Sequence, residues 1–176
     1  MVGLTPGGSS IVTGSWDGTA RIWDVRLGAE MVVLYGHQDR VMGVAVAPDG
    51  SRIFTVSLDG TTRIWDAKTG AEIAVVAEPK QVMCLAMTPD GSRIITGPFD
   101  DTARIRDAAS GKEIAALRGH QSIVTNIVVT PDGSRIITGS TDGTARVWDA
   151  ETAAQIAMVR HNGHSDPVEC VVVRPA

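Results

Sequence analysis

The sequence predicts an all-β repeat protein built from about four units of four strands, on three observations. A Trp-Asp pair recurs at Trp23-Asp24, Trp65-Asp66 and Trp148-Asp149, with Arg106-Asp107 in the place of a fourth, at steps of 42, 41 and 42 residues. A second block stands at constant distance before each pair: TPGGSSIVT, APDGSRIFT, TPDGSRIIT and TPDGSRIIT, beginning at Thr5, Ala47, Thr88 and Thr130. A third block, Gly-His, occurs at Gly36-His37, Gly119-His120 and Gly163-His164, and Ala77-Glu78 replaces it between the second and third copies. Self-similarity at this period marks a repeat architecture, so a residue that occurs once per repeat is structural before it is anything else.

Each period reads as four short strands. Val41 to Val46 is apolar and mostly small, which suits a strand buried on both faces. Pro48-Asp49-Gly50 is turn chemistry, with proline presetting its own φ and glycine accepting a positive one. Arg52 to Val56 is rich in β-branched and aromatic residues. Asp59-Gly60 forms a tight hairpin into Thr61 to Trp65, where polar and apolar sides alternate. Lys68-Thr69-Gly70 then turns the chain into Glu72 to Val76. No window carries a helical period. Four strands joined by such short turns are antiparallel and make one propeller blade.

The three linked blocks, taken together, resemble the WD-repeat β-propeller family, similar to the repeats of the G-protein β subunit, and the evenness of the copies resembles bacterial-type repeats. The resemblance covers nearly the whole chain. It implies a single propeller region over 1–176, partial or open, with blades near 1–35, 36–77, 78–118 and 119–160 and an extra inner strand at 168–174. Residues 170–176 repeat the register of residues 1–7, after a last step lengthened by two residues near His161-Asn162. Propellers of this family usually close with more blades than four. The chain is therefore read as a fragment, an arc of a longer propeller; an eight-bladed ring of two copies and a strained four-bladed ring remain open.

The resemblance also implies a buried hydrogen-bond tetrad in each blade. The second blade supplies His37, Thr55, Asp59 and Trp65, and the fourth supplies His120, Thr138, Asp142 and Trp148. The first has Thr13, Asp17 and Trp23 without a histidine. Such a relay is physically sound, because a buried indole, hydroxyl and imidazole each need partners and an aspartate at one end closes the chain. The third blade is atypical. Glu78 stands for the histidine and Arg106 for the tryptophan, while Thr96 and Asp100 remain and Asp101 replaces the turn glycine. Arg106 either pairs with Glu78 or Asp100, or turns outward with its stem along the surface.

Composition narrows the function classes. A formal net charge of −4 over 176 residues, with no basic stripe, argues against nucleic acid. There is no apolar run long enough to span a membrane as a helix, and no signal-peptide pattern, so the cytoplasm is the expected location. Cys84 and Cys170 occupy equivalent repeat positions two blades apart, where they are not expected to meet, and both read as small buried apolar residues. Thr, His and Asp recur together, but once per blade and not once per protein, so no catalytic residue, metal or cofactor is expected.

A binding role is expected instead. In related propellers partners dock on the face that carries the Gly-His loops and the turns after the second strand. The resemblance places there Trp16 in the first blade and Arg40, Met42 and Leu58 in the second. Gln81, Met83 and Phe99 follow in the third, then Ile123, Thr125 and Thr141 in the fourth. This set is apolar for turn positions, which suggests either a protein- or peptide-binding face or a cap over the inner strands. The expected function is a non-catalytic interaction scaffold. The alternative is a structural or regulatory propeller segment of a larger bacterial signalling protein, its activity on other sequence. Open end blades would also expose apolar faces and favour self-association.

Overall fold

The protein is described from a computed structural model covering residues 1–160 and 166–173. Gly163-His164, the lengthened step at His161-Asn162, and residues 174–176 lie outside the described residues. Among the described residues every regular element is a β-strand, and the strands form four antiparallel four-stranded sheets, each in chain order. The first sheet comprises β1 (Val2–Leu4), β2 (Ser10–Gly14), β3 (Ala20–Asp24) and β4 (Ala29–Leu34). The second comprises β5 (Val41–Val46), β6 (Arg52–Ser57), β7 (Thr61–Asp66) and β8 (Glu72–Ala77). The third comprises β9 (Val82–Met87), β10 (Arg93–Pro98), β11 (Thr102–Asp107) and β12 (Glu113–Arg118). The fourth comprises β13 (Val124–Val129), β14 (Arg135–Ser140), β15 (Thr144–Asp149) and β16 (Gln155–Arg160). These are four blades of the propeller type, as the repeat pattern predicts.

Two local features recur in every blade. The turn after the second strand ends on a positive φ, taken by Gly18, Gly60 and Gly143 and, in the third blade, by Asp101 at 62°. The ladder between third and fourth strands slips by one residue just before the tryptophan position, between Ile22 and Trp23, Ile64 and Trp65, Ile105 and Arg106, and Val147 and Trp148. Such a bulge re-aims the side chain that follows it. It is present at Arg106 as well, so the backbone of the third blade keeps the family geometry after its tryptophan is gone.

The chain divides into two compact units, Met1–Val82 and Met83–Ala176, with the division at the start of β9. The first unit holds the first two blades. Val12, Ala20, Ile22 and Leu34 of one pack against Ile53 and Trp65 of the other. The second unit repeats this with Ile95, Ala103, Ile105 and Leu117 against Val124, Ile127, Ile136 and Trp148. Close approach depends on absent side chains at the seam: a Cβ on Gly14 would lie 2.7 Å from Val41 Cγ1, and one on Gly97 would lie 3.3 Å from Val124 O.

The extra inner strand expected at 168–174 is corrected: residues 166–173 carry no strand ladder, and residue 174 lies outside the described residues. The segment nevertheless lies along the fourth blade. Val168 N–H donates to Ser140 O at 3.0 Å, Thr125 Oγ1 donates to Val168 O, and Val171 N–H donates to Asn126 Oδ1 at 3.2 Å. A side-chain amide thus receives a backbone donor that a second strand would otherwise satisfy. Cys170, expected to be buried, is exposed on this segment, whereas Cys84 is buried between blades and donates to Val124 O. Both thiols are free.

Candidate functional site

In the second and fourth blades the structure brings the four tetrad residues into one chain of hydrogen bonds. Trp65 Nε1 donates to Thr55 Oγ1 at 2.8 Å, Thr55 Oγ1 lies 2.7 Å from His37 Nε2, and His37 Nδ1 lies 2.8 Å from Asp59 Oδ2. The fourth blade repeats this with Trp148, Thr138, His120 and Asp142 at 2.9, 2.7 and 2.9 Å. The indole has only a donor, which leaves the threonine hydroxyl its own proton to give to His Nε2. That leaves Nδ1 as the protonated nitrogen, donating to the aspartate. The imidazole is neutral, which agrees with burial lowering the pKa of His37 and His120 below 6.5 against the pull of their aspartates.

Each relay has a further member that the pattern reading missed. Thr61 gives both its amide and its hydroxyl to Asp59 Oδ1, and Thr144 does the same for Asp142. Backbone N–H groups of Gln38 and Gln121 reach the other carboxylate oxygen. The signal was present in the sequence, since a threonine follows the turn in all four copies, but it reads there as ordinary strand composition. The Gly of Gly-His also acquires a reason. A Cβ on Gly36 would press on the buried Trp65 ring, 3.1 Å from Cη2, and one on Gly119 would lie 3.2 Å from Trp148 Cη2.

The Thr-His-Asp order has the connectivity of a hydrolytic triad, yet its environment supports no such chemistry. Thr55 and Thr138 are fully buried and each hydroxyl already accepts an indole N–H. No substrate carbonyl reaches an oxygen so enclosed. The second unit also carries a surface groove beside Pro89-Asp90 and Asp132-Gly133. Two of its carboxylates are saturated by their own turns: Thr88 and Ser92 hold Asp90 at about 2, and Thr130 and Ser134 hold Asp132 at about 2. Such groups are poor general bases at neutral pH.

The turn aspartates of the first and third blades are held by the strand arginine. In the first, Trp23 Nε1 donates to Thr13 Oγ1 at 2.8 Å, and Asp17 pairs with Arg21 at 3.1 Å. In the third, Arg104 forks onto Asp100 at 2.9 and 2.5 Å. The expectation that Asp100 compensates Arg106 is therefore revised: Asp100 is held by Arg104, the arginine present in every copy. Arg106 is buried, so the outward reading falls. Its guanidinium donates to Gly111 O at 3.1 Å and lies 3.8 Å from Glu113 Oε2, while Glu78 accepts from Thr62 Oγ1 at 3.0 Å.

The proposed partner-facing residues separate by exposure. Trp16, Arg40 and Gln81 are exposed, whereas Met42, Leu58, Met83, Phe99, Ile123, Thr125 and Thr141 are half-buried. In the first unit the Arg40 guanidinium lies over the Trp16 ring, 4.5 Å from its centroid. Trp16 is 72% exposed in spite of that contact.

Four-stranded blades with a recurring Trp–Thr–His–Asp relay define a repeat-propeller class of protein. A family model for the WD domain, G-beta repeat, matches residues 2–24, 28–66, 72–107 and 111–149. The chain belongs to the WD-repeat family. No curated relative matches it. Repeats of this family generally serve as scaffolds for protein interaction.

Proposed function

We propose that the chain is a non-catalytic scaffold that binds a protein or peptide on its loop face, with Trp16 and Arg40 as the centre of recognition. The observation that carries this reading is the exposed aromatic–cation pair: a large, stiff ring is held ready by a guanidinium stacked on it. Exposed tryptophan and arginine are the residue types that most often dominate binding energy. Leu58 and Met42 supply apolar neighbours in the first unit, and Phe99 and Met83 are their counterparts in the second. Two free thiols suit a cytoplasmic setting.

A peptide selection on the folded chain tests the reading. Selected binders are expected to lose roughly tenfold or more in affinity on Trp16→Ala, equivalent to about 1.4 kcal/mol, with a smaller loss on Arg40→Ala. Binders indifferent to both substitutions would place recognition elsewhere. A chain that yields no binders at all would favour the second reading, a structural segment of a larger regulatory protein.

A further inference from the structure

The seam inside the first unit shows how one blade seats on the next. Val44, Val46, Ile53, Trp65 and Ala67 of the second blade meet Val12, Ala20, Ile22 and Leu34 of the first. Cross-strand register puts each set on a single face, since Val46 pairs with Ile53 and Ile53 with Trp65, while Ala20 pairs with Leu34. Repeat equivalence carries the first set onto Val2, Leu4, Ile11, Trp23 and Val25, on the opposite face of the first blade. It carries the second set onto Ile137, Ala145, Val147 and Val159 of the fourth. Both equivalent faces are open. On the part of the first blade that would dock, Val25 is 49% exposed, and on the fourth Val159 is 63% exposed, although its counterparts Leu34 and Leu117 are buried.

We infer that these two faces form one interblade seam between two copies of the chain, the first blade of one seated on the fourth blade of another. The chain already contains this interface: the same residue positions, in the same register, bury one another inside the first unit. This chain carries both halves of the seam, so a second copy supplies what each half lacks. The contact is head-to-tail, and it closes into a ring or propagates according to its rotation.

The inner-strand place of that seam is already taken by residues 166–173. Val168 N–H donates to Ser140 O as Val41 N–H donates to Ser15 O, both at 3.0 Å. Val168 and Val171 stand 2.8 and 3.0 Å from a Cβ built on Gly139, as Val41 and Val44 stand 2.7 and 3.1 Å from one on Gly14. The docking copy therefore brings β2 to β4 against the fourth blade. Its β1, held by three ladder pairs, yields its place beside β2 to the 166–173 segment of the other copy.

Cysteine trapping tests the seam. Gly70 lies against Leu34, with a built Cβ 3.3 Å from Leu34 Cδ2, and their equivalents are Gly28 and Val159. In a Cys170→Ser background, Gly28→Cys with Val159→Cys is expected to oxidise into disulfide-linked dimers and longer species. The unmodified chain should show a solution mass of at least twice 18.5 kDa as concentration rises. Val159→Asp places a charge in the seam and should weaken association about tenfold or more, and the site's exposure in the single chain lets that variant fold. A mass of 18.5 kDa at every concentration overturns the inference. So does a disulfide that forms only within one chain, or unchanged association of Val159→Asp.

Discussion

Asp142, at the end of the fourth blade's relay, is approached from three sides by Thr144, the Gln121 amide and His120. Burial opposes its charge, but these donors hold its carboxyl at about 2. Asp59 is lowered in the same way, with Thr61, Gln38 and His37 as donors against burial. The histidines beside them resist protonation because they are buried. An unfolded histidine charges near 6.5, so the native state binds fewer protons below that value and stability declines as pH falls through it. A second decline begins below 3.8, where unfolded aspartates protonate while Asp59 and Asp142 do not. Melting temperatures from pH 7.5 to pH 4 should therefore fall, and the double variant His37→Gln with His120→Gln should flatten the upper part of that curve. Thr138→Val removes the hub that serves Trp148 Nε1 and His120 Nε2 together. It should cost about 2–3 kcal/mol in urea unfolding. Asp101 holds a positive φ where the other blades have glycine, so Asp101→Gly should stabilise by about 1 kcal/mol.

At the scale of the blade, the turn aspartate is the constant and its partner changes. Where a histidine is present it takes the aspartate, and the strand arginine turns to the fourth strand: Arg63 pairs with Glu72 and Arg146 donates to Gln155. Where no histidine takes the aspartate, the same arginine keeps its fourth-strand glutamate and bonds the aspartate as well, as Arg21 does with Glu30 and Asp17 and Arg104 with Glu113 and Asp100. The sequence drew attention to Arg106 because it breaks the pattern. The residue that takes the turn aspartate of this blade is Arg104, which the sequence hides because an arginine stands there in every copy. Asp100→Ala leaves the buried Arg104 guanidinium with less charge to balance it and should cost about 2 kcal/mol, measurable by chemical denaturation. Arg104→Leu together with Asp100→Leu should cost less than the single change.

At the scale of the whole chain, repeat stacking makes stability a sum of blades and seams. The seams inside each unit bury Trp65 and Trp148, whereas Trp23 of the first blade stays half-buried. Hydrogen exchange should therefore be fastest over Val2–Leu4 and residues 166–173, and slowest over β6, β7 and β14. If copies seat on one another, protection over 166–173 should rise with protein concentration while that over Val2–Leu4 falls.

Residue order was enough for the strand count, the turns, the blade type and the family, because each is a local pattern repeated until chance is excluded. It was also enough to name the tetrads, whose members are tied to fixed repeat positions. Which partner each aspartate takes followed only from packing, since a histidine loop and a strand arginine compete for one carboxylate in space. Tertiary structure likewise decided that Arg106 is buried, that Cys170 is not, and that Trp16 alone among the apolar candidates for the partner-facing set stands open, beneath a guanidinium. Exposure of this kind is a property of the neighbour that covers a side chain, and a repeat pattern says where a side chain points without saying what lies against it.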